Sequence, residues 1–589
     1  MSTTPYGILL ILSLCMVLFV WGKWRYDLIA VLALLAAVAI GAVPFDHIYS
    51  GLSNHAVITV AAVMVISHTI AQSGLLNQLI RHSTWFSKST SLHIASFSLL
   101  SALLSAFMNN VGALSLMMPI AIESAHKHQR SPSLLLLPIA LSSALGGLTT
   151  LIGTPPNLLI ADFRSLHTGK PFYLFDYSPV GIPVACLGIA LIATLLWRLI
   201  PAARQTAEPT ADLLEQEAIF HLYVSDKTCQ LYRTVESLQT ATASRFKILS
   251  ILRNKHSIPL TATTTLEPED ILVIAAQPRE LESLLNNNPL GLITEQRARH
   301  HDLTPHPIHL LEVVVTQASE LCNQKIDSLQ TNCPEVDIVA ISRAGKTLSL
   351  ANMPNLTYLP GDLLLVQGEL HALTQATRLL NLIALDTPHQ ARNLRKKIAP
   401  LLIFSAAIIA SSLRLIPTSM SFTLVVMLFI VFKLITLRKA YESIDWSVII
   451  LLSALIPVGA ALETTGGSAL LAKLLLTQAT HYPAYYSVGI LLLVTMTLSD
   501  CINNAATTIL MAPIAITIAN ALHTSLDPFL MAVALGASCS FLTPVGHQNN
   551  ILVMGPGGYR FQDYIRIGLP LELLVIAVGL PLILFCFPL

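Results

Sequence analysis

The chain has 589 residues, 53% of them hydrophobic and only 11% charged, with 34 basic side chains against 33 acidic ones. A soluble domain carries about a quarter charged residues, so most of this chain is written for lipid. The formal net charge of +1, without a basic face interleaved with aromatics, argues against nucleic acid as a partner.

In chain order, apolar runs of bilayer length, about twenty residues, cover Tyr6–Val20, 28–43, 56–76, 134–160 and 178–200. They return at 398–416, 421–437, 446–462, 484–500, 528–554 and 568–587. Between 201 and 395 charge and polarity come back, which predicts an insert between two membrane halves, 1–200 and 396–589. The first run does not read as a signal peptide: Met1 to Tyr6 carries no Lys or Arg, while Lys23 and Arg25 follow it. That is the reverse of signal polarity, and a first span with its N-terminus outside is expected. The eight cysteines show neither metal-ligand spacing nor a disulfide framework. No nucleophile–base constellation is present, so neither an enzyme nor a cofactor is expected.

Met108-Asn109-Asn110-Val111 and its continuation to Pro119-Ile120-Ala121-Ile122 recur without a gap as Ile502-Asn503-Asn504-Ala505 to Pro513-Ile514-Ala515-Ile516. A Thr-Pro turn inside an apolar run follows each copy, at Thr154-Pro155 and Thr543-Pro544. Internal repeats with helices broken at matching places are the sequence mark of a secondary transporter. Positive residues near membrane ends prefer the cytoplasm. If 92–125 and 484–522 are re-entrant hairpins, Lys23, Arg25, Arg81, Lys88, Lys127, Arg130, Arg198 and Arg204 fall on one side. Arg395, Lys396, Lys397, Lys433, Arg438, Lys439, Arg560 and Arg566 join them, and only Arg164, Lys170, Arg414 and Lys473 lie opposite. The halves are therefore expected to be inverted with respect to each other.

Lipid tolerates unpaired backbone only where it lines a protein cavity, so the hairpin tips and the Pro-containing turns imply one interior site. Leu151-Ile152-Gly153-Thr154-Pro155-Pro156-Asn157 cannot be an uninterrupted helix, and its counterpart runs from Phe541 to Asn550. Unwound carbonyls and Asn, Gln and Thr oxygens can replace the water around a small cation, while half-helix N-termini suit an anion. With Lys and Arg scarce there, dipoles and a co-bound cation would hold the anion. The anion candidates are Asn109, Asn110, Asn503, Asn504, Thr154 and Thr543; the coupling-cation candidates are Gly153, Asn157, Asn549 and Asp500. Asp500 is an intramembrane acid, a functional candidate by default, with no acidic match in the first copy. His547 either titrates near neutrality or hydrogen-bonds within the loop. Close helix packing accounts for a single polar residue better than for paired tips and breaks in register. Pro119 and Pro513 are expected to shape the second hairpin arms.

At these residues the chain resembles the divalent anion–sodium symporters of the ion transporter superfamily, a citrate-transporter-like group that includes sulfate, dicarboxylate and citrate carriers and arsenite permeases. The resemblance spans both membrane halves and is carried by Gly153-Thr154-Pro155-Pro156-Asn157 and Thr543-Pro544-Val545-Gly546-His547-Gln548. Gly555-Pro556-Gly557-Gly558-Tyr559-Arg560-Phe561 is similar to a sulfate-permease-like branch with TrkA-C (RCK C-terminal) domains. It implies two hairpins and two broken helices holding substrate and sodium, and elevator-like movement of a transport domain within a homodimer. Dicarboxylate members carry Ser-Asn-Thr at both tips, where this chain has Asn109-Asn110-Val111 and Asn503-Asn504-Ala505. The missing hydroxyls favour a compact inorganic anion such as sulfate over a di- or tricarboxylate.

The insert holds a second duplication. Phe246–Arg253 corresponds to Val336–Arg343, and Leu266–Val273 to Leu359–Val366. Alternating aliphatic runs followed by helical tails at 279–286 and 369–382 predict two α+β modules, at 205–292 and 305–388. They resemble TrkA-C domains, which dimerise or bind a small cytoplasmic ligand; Asp270 and Asp362 are expected to hold turns. Such modules admit a rival, a potassium channel or its gating subunit, although no TVGYG-type filter or Gly-rich nucleotide fingerprint occurs. An arsenite-type efflux permease would share the fold. His300, His301, Asp302, His306 and His309 read as a solvated linker rather than a metal site. The expectation is a polytopic α-helical protein of the cell (inner) membrane with inverted halves, re-entrant hairpins and a cytoplasmic α+β insert at 201–395. It would carry a sulfate-like anion through the lipid bilayer, coupled to sodium.

Overall fold

The computed structural model describes every residue except 1–4, 22–23, 74–88, 129, 201–217, 242–245, 254–255, 259–260, 262–263, 277–289, 294–307, 317–318, 344–345, 349–355, 386–393 and 477–482. The predicted helical tail at 279–286 and the linker residues His300, His301, Asp302 and His306 lie outside the described residues. The chain forms two compact units. One comprises Met1–Gln205, His389–Asn550 and Arg560–Leu589; the other comprises Thr206–Pro388 and Ile551–Tyr559.

The first unit is helical. Among the described residues, His55–Gln72, Trp446–Thr464, Ala484–Cys501, Asn504–Ala521 and Phe561–Cys586 are long and apolar enough to cross a membrane by length and composition. Shorter apolar helices accompany them. Phe561–Cys586 buries Tyr564, Ile567, Leu571 and Val575 while exposing Ile565, Leu569 and Leu573, an apolar outer stripe that lipid, not water, would cover.

Where the hairpins are expected the chain forms consecutive helices, Thr90–Ser105 then Asn110–Lys127, and Ala484–Cys501 then Asn504–Ala521. The apolar runs behind them are interrupted. The first divides into Ser133–Gly147 and Pro155–Thr168, the second into Asp527–Ser538 and Gln548–Met554. Pro155 explains one restart, because a missing N–H costs nothing at the first helical position. Pro119 and Pro513 sit inside the second arms, Asn110–Lys127 and Asn504–Ala521. Arg164, on the helix after the first break, grips Asp527 at the start of the helix before the second through bonds of 2.7 and 2.8 Å. This two-pronged pairing of guanidinium and carboxylate ties the two copies together.

The second unit contains two five-stranded antiparallel sheets of the same topology. The first uses β1 (Ala218–Val224), β2 (Phe246–Arg253), β3 (His256–Ile258), β4 (Ile271–Ala276) and β5 (Leu290–Ile293), in the order β3-β2-β4-β1-β5. The second uses β6 (Ile308–Val315), β7 (Val336–Arg343), β8 (Lys346–Leu348), β9 (Leu363–Glu369) and β10 (Leu382–Ala384), in the order β8-β7-β9-β6-β10. The register shifts at Ile248/Ser250 and again at Ile338/Ala340, so even the irregularities are repeated. His309 is an exposed residue within β6 rather than part of a linker.

The predicted turns are held by the predicted aspartates. The carboxylate of Asp270 accepts from Glu267 N and pairs with Arg253; that of Asp362 accepts from Leu359 N and pairs with Arg343. This geometry corrects the sequence register by one residue: Glu267, not Leu266, stands where Leu359 does. It also puts Glu269 (φ 73°) opposite Gly361 (φ 88°), in the left-handed region that favours glycine. Beside the second turn the buried Tyr358 hydroxyl donates to Ile326 O at 2.9 Å, and burial raises its pKa. Replacing Glu269 with Gly is expected to stabilise the first sheet by about 1 kcal/mol. Slower amide hydrogen exchange at Leu272 and Ile274 in the variant is the readout; faster exchange there would contradict the strain argument.

Candidate functional site

Each hairpin tip contains one capping Asn and one that looks inward. The Asn109 side chain accepts from Val111 N at 3.4 Å and that of Asn503 accepts from Ala505 N at 2.9 Å. Both are ordinary N-cap bonds. The next residues differ in role. Asn110 is buried and meets Ser105 Oγ at 2.5 Å, and Asn504 meets Ser499 Oγ at 3.0 Å.

The two breaks are held by the same bonds. Thr150 Oγ1 donates to Ala106 O at the first tip, and Thr543 Oγ1 donates to Asp500 O at the second. Asn157 Nδ2 donates to Thr150 O at 2.8 Å, and Asn550 Nδ2 donates to Thr543 O at 2.9 Å. Behind them, Tyr177 Oη donates to Asn157 O at 2.7 Å and Tyr564 Oη to Asn550 O at 2.6 Å. Gly181 and Gly568 then lie directly against the carbonyls of Leu148 and Phe541, where a Cβ would collide. The breaks are thus equivalent, but not in the Thr-Pro register of the sequence. Thr543 corresponds to Thr150, and Asn157 corresponds to Asn550. Thr543 also accepts from Gly546 N at 3.0 Å, so its hydroxyl is spent on the turn.

The copies meet across the interior of this unit. His547 Nε2 lies 3.0 Å from the Asn110 amide, and His547 Nδ1 accepts Asn549 N–H at 3.1 Å. The Asn110 atom that faces Nε2 is the amide nitrogen Nδ2, while Asn110 Oδ1 accepts from Ser105 Oγ. Asn549 Nδ2 donates to Ser143 Oγ at 2.5 Å, and Ser143 Oγ donates to Asn110 O at 3.3 Å. Thr154 Oγ1 lies 3.2 Å from Ser538 Oγ. One atom in this network is left over: the fully buried Asn549 has no partner for Oδ1. A buried carbonyl oxygen without a donor is costly and is suited to a cation.

Of the sequence candidates, the structure brings together Asn110, Thr154 and Asn549, with Asn157 and Gly153 in the same first break. Asn504 lies at the second tip, while Asn109 and Asn503 act as caps. Asp500 lies against the second break, beside Gly546. Its Oδ1 accepts from Leu542 N at 3.0 Å, and the adjacent amide, Phe541 N, donates to Glu572 Oε1 at 3.4 Å. Sequence reading missed Ser143, Thr150, Tyr177, Asn550, Tyr564 and Glu572. A second pass from Gly181 and Gly568 would have found the tyrosines, since each stands four residues earlier.

A helical protein with several membrane-length apolar segments and two equivalent broken helices closing on a polar interior has the build of a multi-pass membrane transporter. The chain belongs to the CitMHS citrate transporter family, whose profile matches residues 16–536. It is 28% identical to an uncharacterized transporter of Synechocystis sp., over 98% of this chain and 96% of that one. It is 26% identical to the uncharacterized transporter YfbS of Escherichia coli, over 99% of both. Sodium/sulfate cotransporter 1 of Chlamydomonas reinhardtii is 24% identical over 42% of this chain and 28% of its own length.

If the tyrosines clamp the breaks, Tyr177→Phe and Tyr564→Phe should each destabilise the detergent-solubilised protein by about 1–3 kcal/mol, the cost of a buried carbonyl losing its donor. Thermal midpoints should fall for both; an unchanged midpoint in either would remove that clamp.

Proposed function

We propose that this protein is a secondary carrier that moves a small divalent anion, sulfate or its chemical like, together with sodium. The observation that carries the reading is the polar interior where the first tip meets the second break, with Asn549 Oδ1 left unpaired among neutral donors. Sodium would be held by Asn549 Oδ1, the Gly153 carbonyl and Asn157. The anion would sit at the N-terminal ends of the second hairpin arms, against Asn110, Asn504 and Thr154, and draw on helix dipoles and the co-bound cation. The sodium/sulfate name of the Chlamydomonas relative and the Asn-Asn tips, which lack the hydroxyls of dicarboxylate carriers, support this choice of cargo.

The equivalent bonds of the two breaks support inverted repeats, and alternating access would follow as an elevator-type movement in a homodimer of the inner membrane. The paired sheets at 206–388 are proposed as cytoplasmic TrkA-C-like modules that dimerise or sense a small ligand. The family description favours a second reading, a carboxylate cargo, which the same experiment addresses.

Purified protein in proteoliposomes should accumulate radiolabelled sulfate when an inward sodium gradient is imposed. Asn110→Ala or Asn504→Ala should abolish accumulation without reducing membrane insertion. Citrate-displaceable uptake in place of sulfate uptake would transfer the site to carboxylates, and wild-type uptake by both variants would remove the tips from it.

A further inference from the structure

The buried acids behind the second break have no part in the site above. Asp500, on Ala484–Cys501, is 4% exposed; Glu572, on Phe561–Cys586, is 7% exposed. They accept from consecutive backbone amides, Leu542 N for Asp500 and Phe541 N for Glu572, so the two carboxyls lie side by side. Each carboxyl interacts electrostatically with the other, and Asp500 Oδ2 has no nitrogen or hydroxyl donor among the described residues. Two carboxyl oxygens can share a hydrogen bond only if one of them holds a proton.

The first copy has neither acid. Asp500 O accepts from Thr543 as Ala106 O accepts from Thr150, which makes Ala106 the counterpart of Asp500. Four residues beyond Gly568 is Glu572, and four beyond Gly181 is the buried Ala185. The same break is therefore built once with two alanines and once with two carboxyls. The fold does not require the acids.

Among the described residues, no cation offsets them. Among the described residues, the titratable groups in electrostatic contact with the pair are Cys539 on the break and Cys501 beside Asp500. The helices packed against the two bearing segments carry Asp527, held by Arg164, with Lys473 and Cys186. The turn Leu196–Leu199 carries Arg198, which lies over Trp197, and His547 faces Asn110.

We propose that Asp500 and Glu572 form one proton-binding site, a carboxylic acid donating to a carboxylate, that couples the second break to proton uptake and release. Loss of the proton to water leaves two adjacent carboxylates that repel each other. That strain falls on Leu542 and Thr543, and through Ser499, next to Asp500, on the Asn504 tip. The site is independent of which anion or metal cation is carried.

The test needs no substrate. Infrared difference spectra of the purified wild-type protein between acid and alkaline pH should show the C=O band of a buried protonated carboxyl that persists at neutral pH and shifts in heavy water. The double variant Asp500→Ala/Glu572→Ala copies the first break, so it should fold and lack that band. A wild type without the band, a band that survives in the double variant, or a double variant that does not fold would each overturn the proposal.

Discussion

An unwound backbone in the membrane interior must find a partner for every N–H and C=O, and the first unit depends on how it meets that demand. Each break exposes a run of peptide groups where an apolar helix has stopped. Thr150 and Thr543 anchor these runs to the hairpin tips, Asn157 and Asn550 take up their carbonyls, and Tyr177 and Tyr564 clamp the restarting helices. Once the backbone is satisfied from within, the remaining polar atoms are free for a solute. That is why Asn549 Oδ1 is informative: it is left over after the backbone has been served.

The same solution appears at both breaks, with departures. The matched bonds establish what the breaks need in order to exist. The unmatched residues, His547 opposite Thr154, Asp500 opposite Ala106 and Glu572 opposite Ala185, are additions to a frame that stands without them. Chemistry is better sought in such differences than in the shared frame. The paired sheets of the second unit show the same division, with a shared Arg–Asp turn and a strained Glu269 where its twin has Gly361.

Much of this was legible in the sequence. Hairpins, interrupted runs and the duplicated insert all follow from apolar periodicity and from Pro, Gly and Asn positions, which act locally. The role of each site residue was less legible, because it depends on where a side chain turns. Asn109 and Asn110 are identical in type and adjacent, yet one caps a helix and the other meets His547. The Thr-Pro match suggested a register that hydrogen bonds move by four residues, since Pro155 starts a helix whereas Pro544 lies inside a turn. Glu572 was not legible because its partner, Asp500, stands 72 residues earlier on another helix, and neither acid has an acidic twin in the first copy.

The central claim is that the first hairpin tip meets the second break, with Asn110 against His547. Cadmium binding tests it directly. In protein freed of its native cysteines, Asn110→Cys should place a thiol beside the His547 imidazole and create a tight cadmium site, which adding His547→Ala should abolish. Binding no tighter than that of the cysteine-free parent would contradict the convergence on which the account rests.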